Sequence, residues 1–118
     1  MAVPHARSGQ VIDVRPLGDQ LRHAVTTTLV NSEQVEVIRL ILPTGKQLPQ
    51  HRVAGSITIQ CLEGLVEVHA AESTQILDKG LMVYLAGDVL HSLTAVRDSA
   101  VLVTIHIPGN IVSAADVP

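Results

Sequence analysis

The residues best suited to chemistry in this chain are two histidines, His51 and His91, each set behind a glycine. Five residues separate Gly45 from His51 and ten separate Gly80 from His91. A neutral imidazole offers one ring nitrogen as a metal ligand and exchanges a proton near neutral pH. Two such rings could hold a divalent Zn, Ni, Fe or Mn ion with waters, whereas protein sites for these ions ordinarily use three or four protein ligands. His106 is the candidate third ligand, with Gln60 and His69 behind it. His5 and His23 fall outside this pattern and are expected at the surface.

Other constellations carry less. Ser92 beside His91, with Asp88 and Asp98 near in sequence, has the composition of a hydrolytic triad, but neighbours on a strand point to opposite faces and cannot share a proton. Cys61 lies among alternating apolar residues, where an apolar setting raises a thiol's pKa and suppresses the nucleophilic thiolate. Asp88 is expected to shape the turn before His91. Tyr84, the sole tyrosine in a chain without Phe or Trp, is expected inside, as a core filler or as a hydroxyl reaching a cavity. No nucleophile elbow, zincin helix, phosphate-binding loop or dinucleotide fingerprint is present. With a net charge of −3 and one aromatic residue, the chain has neither the basic footprint nor the stacking platform that nucleic acids require.

The elements that must position the histidines are strands. The chain has 118 residues, of which 47% are hydrophobic and 1% aromatic, so Val, Ile and Leu must build the core, and β-branched residues favour strands. One domain over 1–118 is expected, with a loose arm at 1–10, a barrel core over 34–107 and a tail over 110–118. Val11–Arg15 reads as a first or edge strand, Asp19–His23 as a helical turn, and Val25–Val30 and Gln34–Leu42 as strands, the latter presenting Val35, Val37 and Ile41 to one face. Ser56–Leu62 and Leu65–Ala70 flank Glu63-Gly64 and read as a hairpin. Thr74–Leu77, Leu81–Leu85 and Ala100–Ile107 complete the set. Alternation turns Ile57, Ile59 and Cys61 inward, Gln60 outward and His69 to water beside Glu67, and leaves His106 facing either the cavity or a partner subunit. The class is all-β and antiparallel. A lone cysteine, an N-terminus without an apolar stretch and no apolar run of about eighteen residues give the expectation of a soluble, cytoplasmic protein without membrane attachment.

These spacings resemble the two sequence boxes of the cupin family, specifically its small single-domain, RmlC-like members. The first box, G-x5-H-x-H-x3-4-E-x6-G, falls on Gly45, His51, Val53, Ile57 and Gly64, and the second, G-x5-P-x-G-x2-H-x3-N, on Gly80, Ala86, Asp88, His91 and Ala95. The resemblance covers about residues 34–107 and implies a double-stranded β-helix, the cupin jelly-roll barrel. In the family, the box histidines and the glutamate hold a divalent metal inside the barrel. Here Val53 and Ile57 replace two of those ligands, leaving His51 and His91.

The resemblance therefore implies a barrel that binds a small organic molecule, with a divalent metal at His51 and His91 as its cofactor. The alternatives are a metal-dependent oxygenase or isomerase, and a metal-free sensing or dimerising domain. A homodimer is expected from the family habit and from the edge that Gln34–Leu42 would otherwise expose.

Overall fold

A computed structural model describes residues 5–108. Among these residues, nine antiparallel strands follow one 3-10 segment, Gly18–His23. They are β1 (Thr27–Asn31), β2 (Val35–Leu42), β3 (Gln47–His51), β4 (Ile57–Glu63), β5 (Leu65–Ala70), β6 (Ser73–Asp78), β7 (Met82–Leu85), β8 (His91–Ala95) and β9 (Ser99–His106). Their hydrogen bonding gives a five-stranded sheet, β1-β2-β9-β4-β7, facing a four-stranded one, β3-β8-β5-β6. The all-β expectation holds, and the order is that of a jelly roll. Residues 1–4 of the expected arm and the whole 110–118 tail lie outside the described residues. The described part of the arm is tied to β1, because the Ala6 N–H donates to Leu29 O at 2.8 Å.

Period-2 alternation makes the core. On β4 it buries Ile57, Ile59 and Cys61, and on β5 it buries Val66 and Val68, which meet from opposite sheets. The expected hairpin between these two strands is therefore wrong. β4 pairs with β7 and β9, whereas β5 pairs with β6 and β8. A hairpin would lay both aliphatic rows on one face of one sheet, while crossing between sheets at Gly64 turns each row into the other's cover.

That crossing is sterically specific. Gly64 adopts φ +95°, and a Cβ there would collide with Ser99 Oγ and Asp98 O. Ser99 is fully buried at the same corner, accepting from Leu65 N–H (3.0 Å) and donating to Arg97 O (2.7 Å). Beside it, the Glu63 carboxylate accepts from the N–H groups of Leu17 (2.6 Å) and Gly18 (3.2 Å), holding the 3-10 segment against the barrel.

Three further expectations change. Val11–Arg15 forms no strand: Asp13 Oδ1 accepts the Arg15 N–H (3.0 Å), a local bond that competes with ladder formation, and Val11 is 93% exposed. β2 is no edge, since β1 and β9 flank it. β3 and β8 form where composition gives little strand signal, and Pro49 is tolerated because β3 is an edge with a register shift between Leu48 and His51. Among the described residues no helix is long and apolar enough to cross a membrane.

Gly64→Ala must both hold a left-handed backbone and displace the Ser99 corner, so it is expected to lower unfolding free energy by about 2–4 kcal/mol, read from the urea midpoint at unchanged m-value. A loss below about 0.5 kcal/mol would show that the corner is not tightly specified.

Candidate functional site

The jelly roll brings the two histidines together. His51 ends β3, His91 begins β8, and they are direct cross-strand partners with ring centroids 4.3 Å apart and planes tilted by 55°. Their environments differ: His91 is 1% exposed, whereas His51 is open to solvent. Both rings are fixed in the same way. Nδ1 of His51 lies 3.0 Å from Pro49 O, and Nδ1 of His91 lies 2.9 Å from Val89 O. A carbonyl oxygen can only accept, so in each neutral ring Nδ1 carries the proton and Nε2 keeps its lone pair. The result is a pair of neighbouring imidazoles whose free nitrogens can accept a hydrogen bond or bind a cation.

Register defines the rest of the mouth. The connections 52–56 and 86–90 both run at this end of the sandwich. On the four-stranded sheet the row reads His51, His91, Ala70 and Ser73, and Ala70 packs on the core. On the facing sheet the row at this end reads Glu36, Ile105, Ile57 and Leu85. Ile57 and Ile105 pack in the core, so Glu36, paired with Ile105, sits on the inward face of β2. The candidate residues derived from the sequence do not include Glu36. The signal lies in the alternation of β2, where Glu36 falls in step with Ile38, Leu40 and Leu42, opposite Val35, Val37 and Ile41.

The two loops at the mouth are locked together. The Asp88 N–H donates to Val53 O at 2.8 Å, and a Cβ on Gly87 would strike Ala54 O. Asp88 shapes this turn in a left-handed conformation, φ +66°, which Asp tolerates better than most residues. Gly55 packs so closely on the end of β9 that a Cβ would overlap His106 O.

The other candidates fall elsewhere. His106 is exposed and shares its face of β9 with Leu102 and Thr104, opposite the core residues Val101 and Val103, so it does not join His51 and His91 as a third ligand. Gln60 is paired with Leu102 on that same outer face, its amide donating to Gly80 O at 3.4 Å. His69 lies on the outer face of the four-stranded sheet, with Thr74 Oγ1 at 2.8 Å and Glu67 Oε2 at 3.5 Å. Cys61 is fully buried and its thiol pKa is pushed up by that burial, in keeping with an inert core residue. Tyr84 corrects its expectation: it is 65% exposed, because β7 turns Val83 and Leu85 inward.

Among the described residues, no group of three or more His, Cys, Asp or Glu side chains is placed to share a metal ion. Val53 and Ile57 pack against or within the core at the positions where the first box would supply two more ligands. Two imidazoles fall short of the three or four ligands of a resident transition-metal site. The donor set therefore does not fit a tightly held metal. The interior is also filled, with Ile59, Cys61, Val66, Val68 and Val101 at essentially zero exposure.

No family model matches the sequence, and no curated protein matches it. Solved structures do match. A cupin superfamily protein from Desulfitobacterium hafniense superposes with a TM-score of 0.73 at 14% identity, covering 87% of this chain and 100% of that one. An RmlC-like cupin family protein with a double-stranded β-helix fold, from Methanocaldococcus jannaschii, gives 0.68 at 20% identity, covering 84% and 94%. Salicylate 1,2-dioxygenase from Pseudoaminobacter salicylatoxidans, in a mutant form, gives 0.64 at 22% identity, covering 69% of this chain and 25% of that one. The protein has the cupin fold. Its architecture is the double-stranded β-helix of RmlC-like cupins, a scaffold that also serves a dioxygenase.

The pinned rings lead to a spectroscopic expectation. At about pH 8.5, above the usual imidazole range, long-range ¹H–¹⁵N correlations should report the Nδ1–H tautomer for both His51 and His91. An Nε2–H signature for either ring would remove the free nitrogen on which the site depends. Val53→His should add a third imidazole and convert substoichiometric Zn or Ni retention into about one ion per chain by elemental analysis.

Proposed function

We propose that this protein binds a small, uncharged, hydroxylated organic molecule at the barrel mouth. His51 and His91 accept hydrogen bonds from the ligand through Nε2, and a divalent metal, when present, is held there only weakly. The observation that carries the reading is the fixing of both Nδ1 atoms by backbone carbonyls, which leaves two acceptors side by side. Val53 and Ile105, both half-buried at this end of the core, supply the apolar surface that such a site needs around a few polar groups. The inward carboxylate of Glu36 adds a third acceptor and selects against anionic ligands by like-charge repulsion. A phenol combines an apolar ring with the required O–H donor. Salicylate, named for the dioxygenase that shares the fold, carries such a hydroxyl, although its carboxylate is disfavoured here.

The test is calorimetric titration with phenol and catechol, with 4-hydroxybenzoate as the anionic control that keeps a hydroxyl donor. Wild type should bind the hydroxylated compounds, and His51→Ala should weaken them at least about tenfold, the loss of one good hydrogen bond, at unchanged thermal midpoint. Glu36→Gln should admit 4-hydroxybenzoate, which keeps the O–H donor. Equal affinity of wild type and His51→Ala would refute the role of the pair.

We also propose a homodimer, formed through the outer face of the five-stranded sheet. Met82 and Tyr84 are 58% and 65% exposed there, and register continues them across Gln60 and Thr58 to Leu102 and Thr104. Large side chains left open on a sheet face mark an interaction surface. Met82→Glu with Tyr84→Glu should convert a dimer into a folded monomer in sedimentation equilibrium. A wild type that is monomeric at micromolar concentration rules the dimer out.

A further inference from the structure

A separate concavity lies at the end of the sandwich away from the histidines, where β2 finishes and β9 begins. Its volume is about 430 Å³, within the range of small-molecule sites. Leu21, Val25, Ile41 and Pro43 form apolar walls, and Arg22 and Asp98 line it as the charged groups.

The cleft has a local cause. β1 begins only at Thr27, and in the segment before it the Ile41 N–H is taken by Thr26 Oγ1 (2.9 Å) in place of a backbone carbonyl. A bridge through a side chain holds the two backbones farther apart than a ladder bond would, and Val25 is left 71% exposed. The opposite wall is firm, because Leu21 is buried on the 3-10 segment that Glu63 anchors.

The charges are arranged for a guest. Among the described residues, the ion pairs within 4.0 Å are Arg15 with Asp13 and His69 with Glu67, so Arg22 and Asp98 line one cleft without meeting. Asp98 Oδ1 is occupied by Thr44 N–H (2.8 Å) and Thr44 Oγ1–H (2.9 Å), which orients the carboxylate and leaves Oδ2 free of those bonds. These two bonds, helped by the positive charge of Arg22, hold the Asp98 pKa below the usual carboxylate value, so it is ionised at neutral pH.

We propose that this cleft binds a small zwitterion with an apolar side chain, of which a free aliphatic α-amino acid is the simplest case. The ligand carboxylate meets the Arg22 guanidinium, its ammonium meets Asp98 Oδ2, and its side chain lies against Leu21, Val25, Ile41 and Pro43. Each charge of the ligand is matched by one charge of opposite sign on the cleft wall, and the ligand closes an ion-pair circuit that the described residues leave open.

The probe is L-leucine, titrated to about 10 mM into the full-length protein with labelled methyl groups, a range that captures millimolar binding. Saturable shifts are expected for Leu21, Val25 and Ile41, with none for Ile57 or Ile105 at the histidine mouth. Arg22→Gln and Asp98→Asn should each weaken binding about tenfold or more. The Asn carbonyl can still accept both Thr44 bonds, so the second variant keeps the loop. N-acetyl-leucine lacks the ammonium and leucinamide lacks the carboxylate, and both should bind about tenfold more weakly than leucine. The proposal is overturned by an absence of saturable shifts, by shifts confined to the mouth, or by equal binding of either derivative.

Discussion

The structure depends on two aliphatic rows facing each other across the barrel, one from β4 and one from β5, joined by a single residue that must be glycine. Ile59, Cys61, Val66 and Val68 have no exposed surface because the chain changes sheets at Gly64. Burying apolar side chains of this size stabilises by about 1.5–3 kcal/mol each, before conformational entropy is set against it. Ser99 and Glu63 convert that corner into a junction, one tying the Leu65 backbone and the other the 3-10 segment. Strand order, the position of the mouth and the wall of the distal cleft all follow from it.

Much of the fold is legible in the sequence because inward aliphatics alternate with outward residues along β4 and β5, while β2 and β9 are short runs rich in branched aliphatics, both patterns that favour strands. What is not legible has specific causes. The stretch Gln47–His51 holds a proline and three long polar side chains, so β3 exists through its partner β8 and not through propensity. Leu62-Glu63-Gly64 is compatible with both a hairpin and a corner, and only packing against Ser99 decides between them. Val11–Arg15 has strand-like ends, but the Asp13 side chain captures the local backbone.

The site divides in the same way. Spacing behind Gly45 and Gly80 is enough to bring His51 and His91 side by side, since each ends or begins a strand at one rim. The state of their rings depends on carbonyl positions two residues upstream, which no residue type announces. Glu36 was within reach of alternation alone. His106 and Tyr84 were not, because their sidedness depends on which face of the five-stranded sheet is covered. The replacement of two box ligands by Val53 and Ile57 also has a positive side: those apolar groups extend the core to the rim and set the imidazoles in an aliphatic frame.

A core without Phe or Trp and with its one tyrosine on the surface has an optical consequence. Near-ultraviolet signals arise from aromatic rings, and here the only ring of that kind sits on β7, away from the packed interior. Tyrosine emission from this protein will follow events at the outer sheet face, such as the proposed subunit contact, and will be nearly blind to the melting of the barrel. Backbone circular dichroism or methyl resonances are the signals that follow folding.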